Sequence, residues 1–266
     1  VAEKFDGNAP PIVSLSVEDA RSGRSLATLK GAVRGSVILV NAETDRDLMS
    51  QVEAVKAAEA DGLAYLFRTA ADWVSAYANI PRHLPMSPFE YVGAEPSGGL
   101  IVVGSYVNKT SQQLEQLLEG DATSVELGFE SIHDPLTLSG VAVQISDEIK
   151  RGRSVVLYTS RDTSGAGDLD VGSAFSAALV EIVRRVNERP AYLLTKGGIT
   201  SSDIATEALG VTRAMVVGRA IPGVPIWQCG AECKWPNLPL IVFPGNVGSP
   251  TALADLFDAL EAARSS

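Results

Sequence analysis

Short runs of β-branched and apolar residues alternate along the chain with stretches whose apolar positions recur at helical spacing. The runs Ile12–Ser16, Ser36–Val40, Leu100–Val103, Ser154–Tyr158, Ala191–Thr195, Ala214–Val217 and Leu240–Phe243 predict strands. Helices are expected at Asp45–Ala60, Ser111–Glu119, Gly172–Val186, Ser201–Ala208 and Thr251–Ala263. In the third of these, Phe175, Leu179, Ile182, Val183 and Val186 mark one apolar face. Strand–helix alternation implies parallel βαβ units. The expected fold is therefore α/β, with an open, mostly parallel sheet and helices on both faces. Ligands in such sheets bind beyond the carboxyl ends of strands, so the loops that follow strands carry the functional question.

A Pro- and Gly-rich stretch, Ile80–Gly99, marks the expected domain boundary. The division is placed at residues 1–95 and 96–266, because the first segment is too poor in strands to form a complete α/β domain.

Three expected strand ends run into glycine-bearing loops. Leu100–Val103 is followed by Gly104-Ser105-Tyr106-Val107-Asn108-Lys109-Thr110, where the glycine permits a tight turn and the hydroxyls can cap a helix. Ala191–Thr195 leads into Lys196-Gly197-Gly198-Ile199-Thr200-Ser201-Ser202-Asp203. Free N–H groups and the helix dipole would favour a phosphate there, and Lys196 could add positive charge. The spacing is not that of a Walker loop. Leu240–Phe243 ends in Pro244-Gly245-Asn246-Val247-Gly248-Ser249-Pro250 before the last helix. A fourth segment, Asp162-Thr163-Ser164-Gly165-Ala166-Gly167-Asp168, looks like the signature of ribokinase-type sugar kinases, with Asp168 as base. Leu169-Asp170-Val171-Gly172 follows it, unlike the pattern of those kinases, and the segment reads as a turn into the next helix.

The remaining composition narrows the picture. The chain has 266 residues and a formal net charge of -10, which argues against a nucleic-acid surface. Cys229 and Cys233 are two cysteines without nearby histidine, so they read as free thiols in a reducing cytosol rather than as a zinc site. No apolar run reaches membrane-spanning length, and the protein is expected to be cytoplasmic. The chain opens on Val rather than Met and reads as a portion of something longer. His83 and His133 lie in loop contexts, Trp227 and Trp235 read as core cover, and Arg184, Arg185 and Arg189 as a solvated helix face.

Lys-Gly-Gly-Ile-Thr-Ser-Ser-Asp at 196–203, Ile-Pro-Gly-Val-Pro-Ile-Trp at 221–227 and Val-Phe-Pro-Gly-Asn-Val-Gly at 242–248 resemble the four-carbon acid sugar kinase family. Gly104-Ser105-Tyr106-Val107 with Lys109-Thr110 fits its third nucleotide loop, and the match runs from about Gly99 to the C-terminus. Weaker similarity at Val40-Asn41-Ala42 and Arg68-Thr69-Ala70-Ala71 makes residues 1–95 look like the end of the family's acid-sugar-binding domain. The resemblance implies ATP and Mg²⁺ as cofactors and a small sugar acid as acceptor, and it allows a homo-oligomer. It implies nucleotide contacts from Ser105, Lys196, Gly197, Gly198, Ile199, Thr200, Gly245, Asn246 and Gly248. Many members carry Glu where this chain has Ile199, and Lys-Ser-Gly-Asn where it has Phe243-Pro244-Gly245-Asn246. The family's N-terminal Asp-Asp-x-Thr-Gly-Ala segment does not occur in this sequence. The competing readings are a ribokinase-like enzyme using Asp168 and a nucleotide-binding module without turnover.

Overall fold

The computed structural model describes residues 9–81, 84–120, 122–161 and 171–266. The chain divides into two compact units, Val1–Arg82 and His83–Ser266.

In the first unit β1 (Ile12–Leu15) pairs in parallel with β2 (Val37–Val40), Ile12 standing beside Val37 and Leu15 beside Val40. Four helices follow or separate these strands: α1 (Val17–Ser22), α2 (Ser25–Gly31), α3 (Asp45–Ala60) and α4 (Ala71–Tyr77). Ser16 with Asp19, and Thr44 with Asp47, form reciprocal capping boxes that start α1 and α3. Leu15, Leu29, Val52, Val55, Ala58 and Trp73 form the small core. Helices α1, α2 and α4 are shorter than the sequence pattern resolves, since six or seven residues give less than two full turns of periodicity.

The second unit is built on a seven-stranded sheet in the order β4-β5-β3-β6-β9-β8-β7. Its strands are β3 (Leu100–Val103), β4 (Thr123–Leu127), β5 (Val155–Thr159), β6 (Leu193–Lys196), β7 (Ala214–Ile221), β8 (Val224–Cys229) and β9 (Pro239–Phe243). The first five in spatial order run parallel, while β8 and β7 are antiparallel to their neighbours. Helices α5 (Asn108–Leu118) and α9 (Ala252–Arg264) cover one face, through Leu114, Leu117, Leu253, Leu256 and Leu260. Helices α6 (Pro135–Lys150), α7 (Val171–Arg185) and α8 (Gly198–Asp203) cover the other, where Ile145, Leu179, Val183 and Ile204 are buried. Helix α8 passes into a π-helical turn at Ile204–Ala208. This is the open, mostly parallel α/β sheet expected from the alternation.

Three elements depart from the sequence reading. Strand β4 buries only Val125 and Leu127, so Thr123-Ser124-Val125-Glu126-Leu127 carries too weak an apolar signal to stand out. Helix α6 is rich in β-branched and small residues of low helical propensity, yet its start is well marked. Asp134 accepts from the Leu136 and Thr137 amides, and Pro135 occupies the first turn. The stretch around Pro222-Gly223 is a hairpin turn between β7 and β8, with Gly223 at φ 80°, so Trp227 stands in a strand opposite Val216.

Candidate functional site

The loops after β3 and β9 lead to helices on one face of the sheet, and the loop after β6 leads to a helix on the other. Adjacent strands that send their connections to opposite faces open a crevice at their carboxyl ends, the preferred ligand position in such folds. The three glycine-bearing loops singled out in the sequence meet there.

They meet because they lack side chains at the points of contact. A Cβ on Gly104 would stand 2.5 Å from the Thr200 hydroxyl, and one on Gly197 would stand 2.9 Å from the Ser105 Cβ. A Cβ on Gly245 would stand 2.7 Å from the Ser105 hydroxyl. Real Cβ atoms do not approach that closely, so each of these glycines sets how near two loops can come. The β6 loop is shorter than expected: α8 begins at Gly198, and Gly197 makes the entire turn at φ 119°, ψ 137°. Thr200 and Ser201 therefore lie buried in the first turn of α8 rather than ahead of it. Ser201 donates its hydroxyl back to the Gly197 carbonyl at 2.6 Å. Gly198 and Ile199 are exposed at the helix start, and no atom lies within 4 Å of a Cβ built on Gly198.

The loop after β9 is held by its carbonyls. Lys196 Nζ donates to the Pro244 carbonyl at 2.6 Å and the Gly245 carbonyl at 3.2 Å, and lies 4.0 Å from the centre of the Phe243 ring. The Thr110 hydroxyl donates to the Gly245 carbonyl at 3.0 Å and lies 3.2 Å from the Ser105 hydroxyl. Gln113 Nε2 reaches the carbonyls of Val247 (3.0 Å) and Ser249 (2.6 Å), and Lys109 Nζ that of Gly248 (3.2 Å). Five carbonyls of one loop are thus turned toward α5 and β6. A peptide unit that points its oxygen one way points its N–H the other, so four of these peptides can offer an N–H to an anion, the fifth being closed by Pro250. Asn246 sits exposed at the loop tip.

Lys196 is fully buried, and burial first, then the Lys109 charge, push its ammonium down to about 8. Its two bonds go to backbone carbonyls, so its place is behind the Pro244–Gly245 turn. Gln113, an isolated glutamine with no motif around it, is also fully buried. The ribokinase-like segment Asp162–Asp168 and His83 lie outside the described residues. His133 packs edge-on to Phe129 at 6.2 Å, and Trp235 is in the core with Trp227 packed beside it. Cys229 and Cys233 are free and buried. Among the described residues no three His, Cys, Asp or Glu side chains group as metal ligands, and no helix is long and apolar enough to cross a membrane.

Glycine loops converging at a topological switch point of a mostly parallel α/β sheet form a ligand crevice. Residues 100–253 match the family described as "nucleotide-binding C-terminal domain", and the chain belongs to that family. Similar solved structures include a Haemophilus influenzae protein of the DUF1537 family, at 18% identity and TM-score 0.56, covering 97% of this chain and 62% of that one. Another is a DUF1537 domain from Bordetella bronchiseptica, a domain-swapped dimer with bound citrate, at 16% identity and TM-score 0.55, covering 96% and 60%. A third, from Salmonella typhimurium LT2 and described as a tRNA synthase candidate, gives 15% identity and TM-score 0.53, covering 95% and 60%. The chain thus spans about 60% of the length of these proteins. DUF1537 is the four-carbon acid sugar kinase family that the loop motifs resemble. No curated protein matches the chain.

Proposed function

We propose that the C-terminal unit binds the phosphates of ATP in the crevice between the loops of β3, β6 and β9. Within a longer protein, this binding would serve phosphoryl transfer to the terminal hydroxyl of a four-carbon sugar acid such as threonate, erythronate or 3-oxotetronate. The observation that carries the reading is the mutual packing of Gly104, Gly197 and Gly245 against Ser105 and Thr200, with the carbonyls of the β9 loop taken up by Lys196, Thr110 and Gln113. Ser105, Thr200 and the backbone of Gly197, Gly198, Ile199, Gly245, Asn246 and Gly248 are the proposed contacts. Lys196 is proposed to act from behind the loop.

The chemistry asked of this chain is placement and charge stabilisation. Its fixed N–H groups would hold the phosphates without reorganising as charge moves toward the leaving group. Mg²⁺ would accompany the phosphates, since the described residues offer hydroxyls and carbonyls but no carboxylate cage. Residues 1–95 are read as the tail of the acid-binding domain and 96–266 as the nucleotide domain. The citrate found with the Bordetella protein is in keeping with an acid ligand, and its domain-swapped dimer with self-association. A cytoplasmic enzyme fits this metabolism.

Calorimetric titration of the chain with ATP and Mg²⁺ tests the proposal, alongside Gly198→Asp. A Cβ at Gly198 meets open space, so the variant should fold while placing a negative charge where the phosphates are expected. Saturable binding lost in the variant supports the reading; unchanged binding in the variant removes it.

A further inference from the structure

Arg161 lies just beyond β5, the strand beside β3. Its Nη1 donates to the Ser105 carbonyl at 2.6 Å, and its guanidinium carbon lies 5.3 Å from the centre of the Tyr106 ring. Its Nε and Nη2 are shut from solvent and have no hydrogen-bond partner among the described residues, although the residue as a whole stays partly exposed. Among the described residues, Glu126 on β4, Tyr158 on β5 and Tyr106 are the titratable groups that face it, and it makes no ion pair with any of them.

A guanidinium cannot shed its charge under ordinary conditions, so a desolvated one with two idle donors is unfavourable until an acceptor arrives. The idle pair is also a specific shape. Nε and Nη2 form the lateral edge of the fork, which matches two oxygens of a carboxylate or phosphoryl group. The other cations of the crevice are committed: Lys196 is enclosed on the Pro244 and Gly245 carbonyls, and Lys109 reaches the Gly248 carbonyl.

We infer that Arg161 is the oxyanion-reading residue of this crevice. Nη1 anchors it to the Ser105 loop, and Nε with Nη2 take two oxygens of a bound phosphoryl or carboxylate group. The inference deepens the nucleotide reading and rests on it for the location of the ligand.

The test is calorimetry on the full chain with adenosine, and with ADP, ATP and threonate in the presence of Mg²⁺, for wild type, Arg161→Gln and Arg161→Lys. Thermal melts confirm that the variants fold. Arg161→Gln should weaken at least one anionic ligand tenfold or more and leave adenosine unchanged. Arg161→Lys, which keeps the charge but not the fork, should recover only part of the loss. Weakening confined to ATP points to the terminal phosphate, weakening of ADP and ATP alike to an inner phosphate, and weakening of threonate to the acid's carboxylate. Wild-type affinity for every anion in Arg161→Gln overturns the inference, as does an equal loss of adenosine. If wild type binds no nucleotide, the nucleotide reading fails separately. Threonate and inorganic phosphate then decide, and Arg161-insensitive or absent binding of both overturns the inference. Should Arg161→Gln fail to fold, Arg161→Lys decides by the same comparison: a loss confined to anions sustains the inference and none overturns it.

Discussion

The Lys196 ammonium lies 2.6 Å from the Pro244 carbonyl, so a side chain rooted in β6 carries the turn that leaves β9. Replacing it with Met keeps the apolar stem on Phe243 but leaves the carbonyls of Pro244 and Gly245 short of a donor. The β9 loop should loosen, and affinity for MgATP should fall about tenfold or more, equivalent to roughly 1.4 kcal/mol. The pH dependence has a definite sign. Lys196 titrates at about 8 in the folded chain against 10.5 in the unfolded one, so between these values the unfolded chain binds more protons. The cost of burying the charge is full below pH 8 and disappears as pH rises toward 10.5. Chemical denaturation should therefore show wild type gaining stability relative to Lys196→Met across that window. An unchanged difference between the two would contradict the assignment.

Gln113 spans from α5 to the carbonyls of Val247 and Ser249. Gln113→Leu keeps the volume and removes the donors from a fully buried position. The loss should be about 1 kcal/mol in urea denaturation, the net worth of a hydrogen bond, because the Ser249 carbonyl keeps the Ala252 amide while that of Val247 loses its Gln113 donor. Hydrogen exchange should also quicken at the amides of 245–249 before it does so in the sheet.

Gly197 combines a positive φ with contact to two neighbouring residues. Gly197→Ala places a Cβ 2.9 Å from that of Ser105 and 3.1 Å from the Thr200 hydroxyl, at a φ of 119° that L-residues rarely adopt. Backbone strain alone should cost about 1–3 kcal/mol. Nucleotide affinity should fall as well, because the β3 and β6 loops are forced apart. Gly198→Ala, one residue later and facing open space, should do neither.

These contacts show what was legible beforehand. Helix α3 has the bounds read from the pattern, because its capping box and its apolar positions lie within one continuous segment. The glycine loops were visible for the same reason: strand, glycine and helix follow one another locally. What the pattern could not show is which loops touch. Gln113 and its acceptors are 134 and 136 residues apart, and an isolated glutamine inside a helix carries no sign of a distant carbonyl. Arg161 is equally silent, since its partner Ser105 lies 56 residues earlier, in the loop after a neighbouring strand. Lys196 stands out in the sequence for its charge, whereas its burial follows from its position at the end of a strand enclosed on both faces.

The N-terminal unit yields an independent prediction. Arg21 grips Asp47 with Nε and Nη2, each at 2.9 Å, while the same carboxylate accepts from the Thr44 amide to complete the cap of α3. These bonds, Arg21 first, hold the Asp47 carboxyl well below the usual carboxylate range, against the opposing effect of burial. A depressed folded-state value means that the contribution is complete above the unfolded value of 3.8 and is lost as pH falls through the folded one. Asp47→Asn should lower stability at neutral pH and flatten the acid limb of the profile below about pH 4. Arg21→Met should do the same to a lesser degree, because the Thr44 cap survives. Hydrogen exchange at the α3 amides, followed from neutral to acid pH, reads this unit apart from the larger sheet. If all three proteins lose protection along the same acid curve, the Arg21–Asp47 pair does not hold the start of α3.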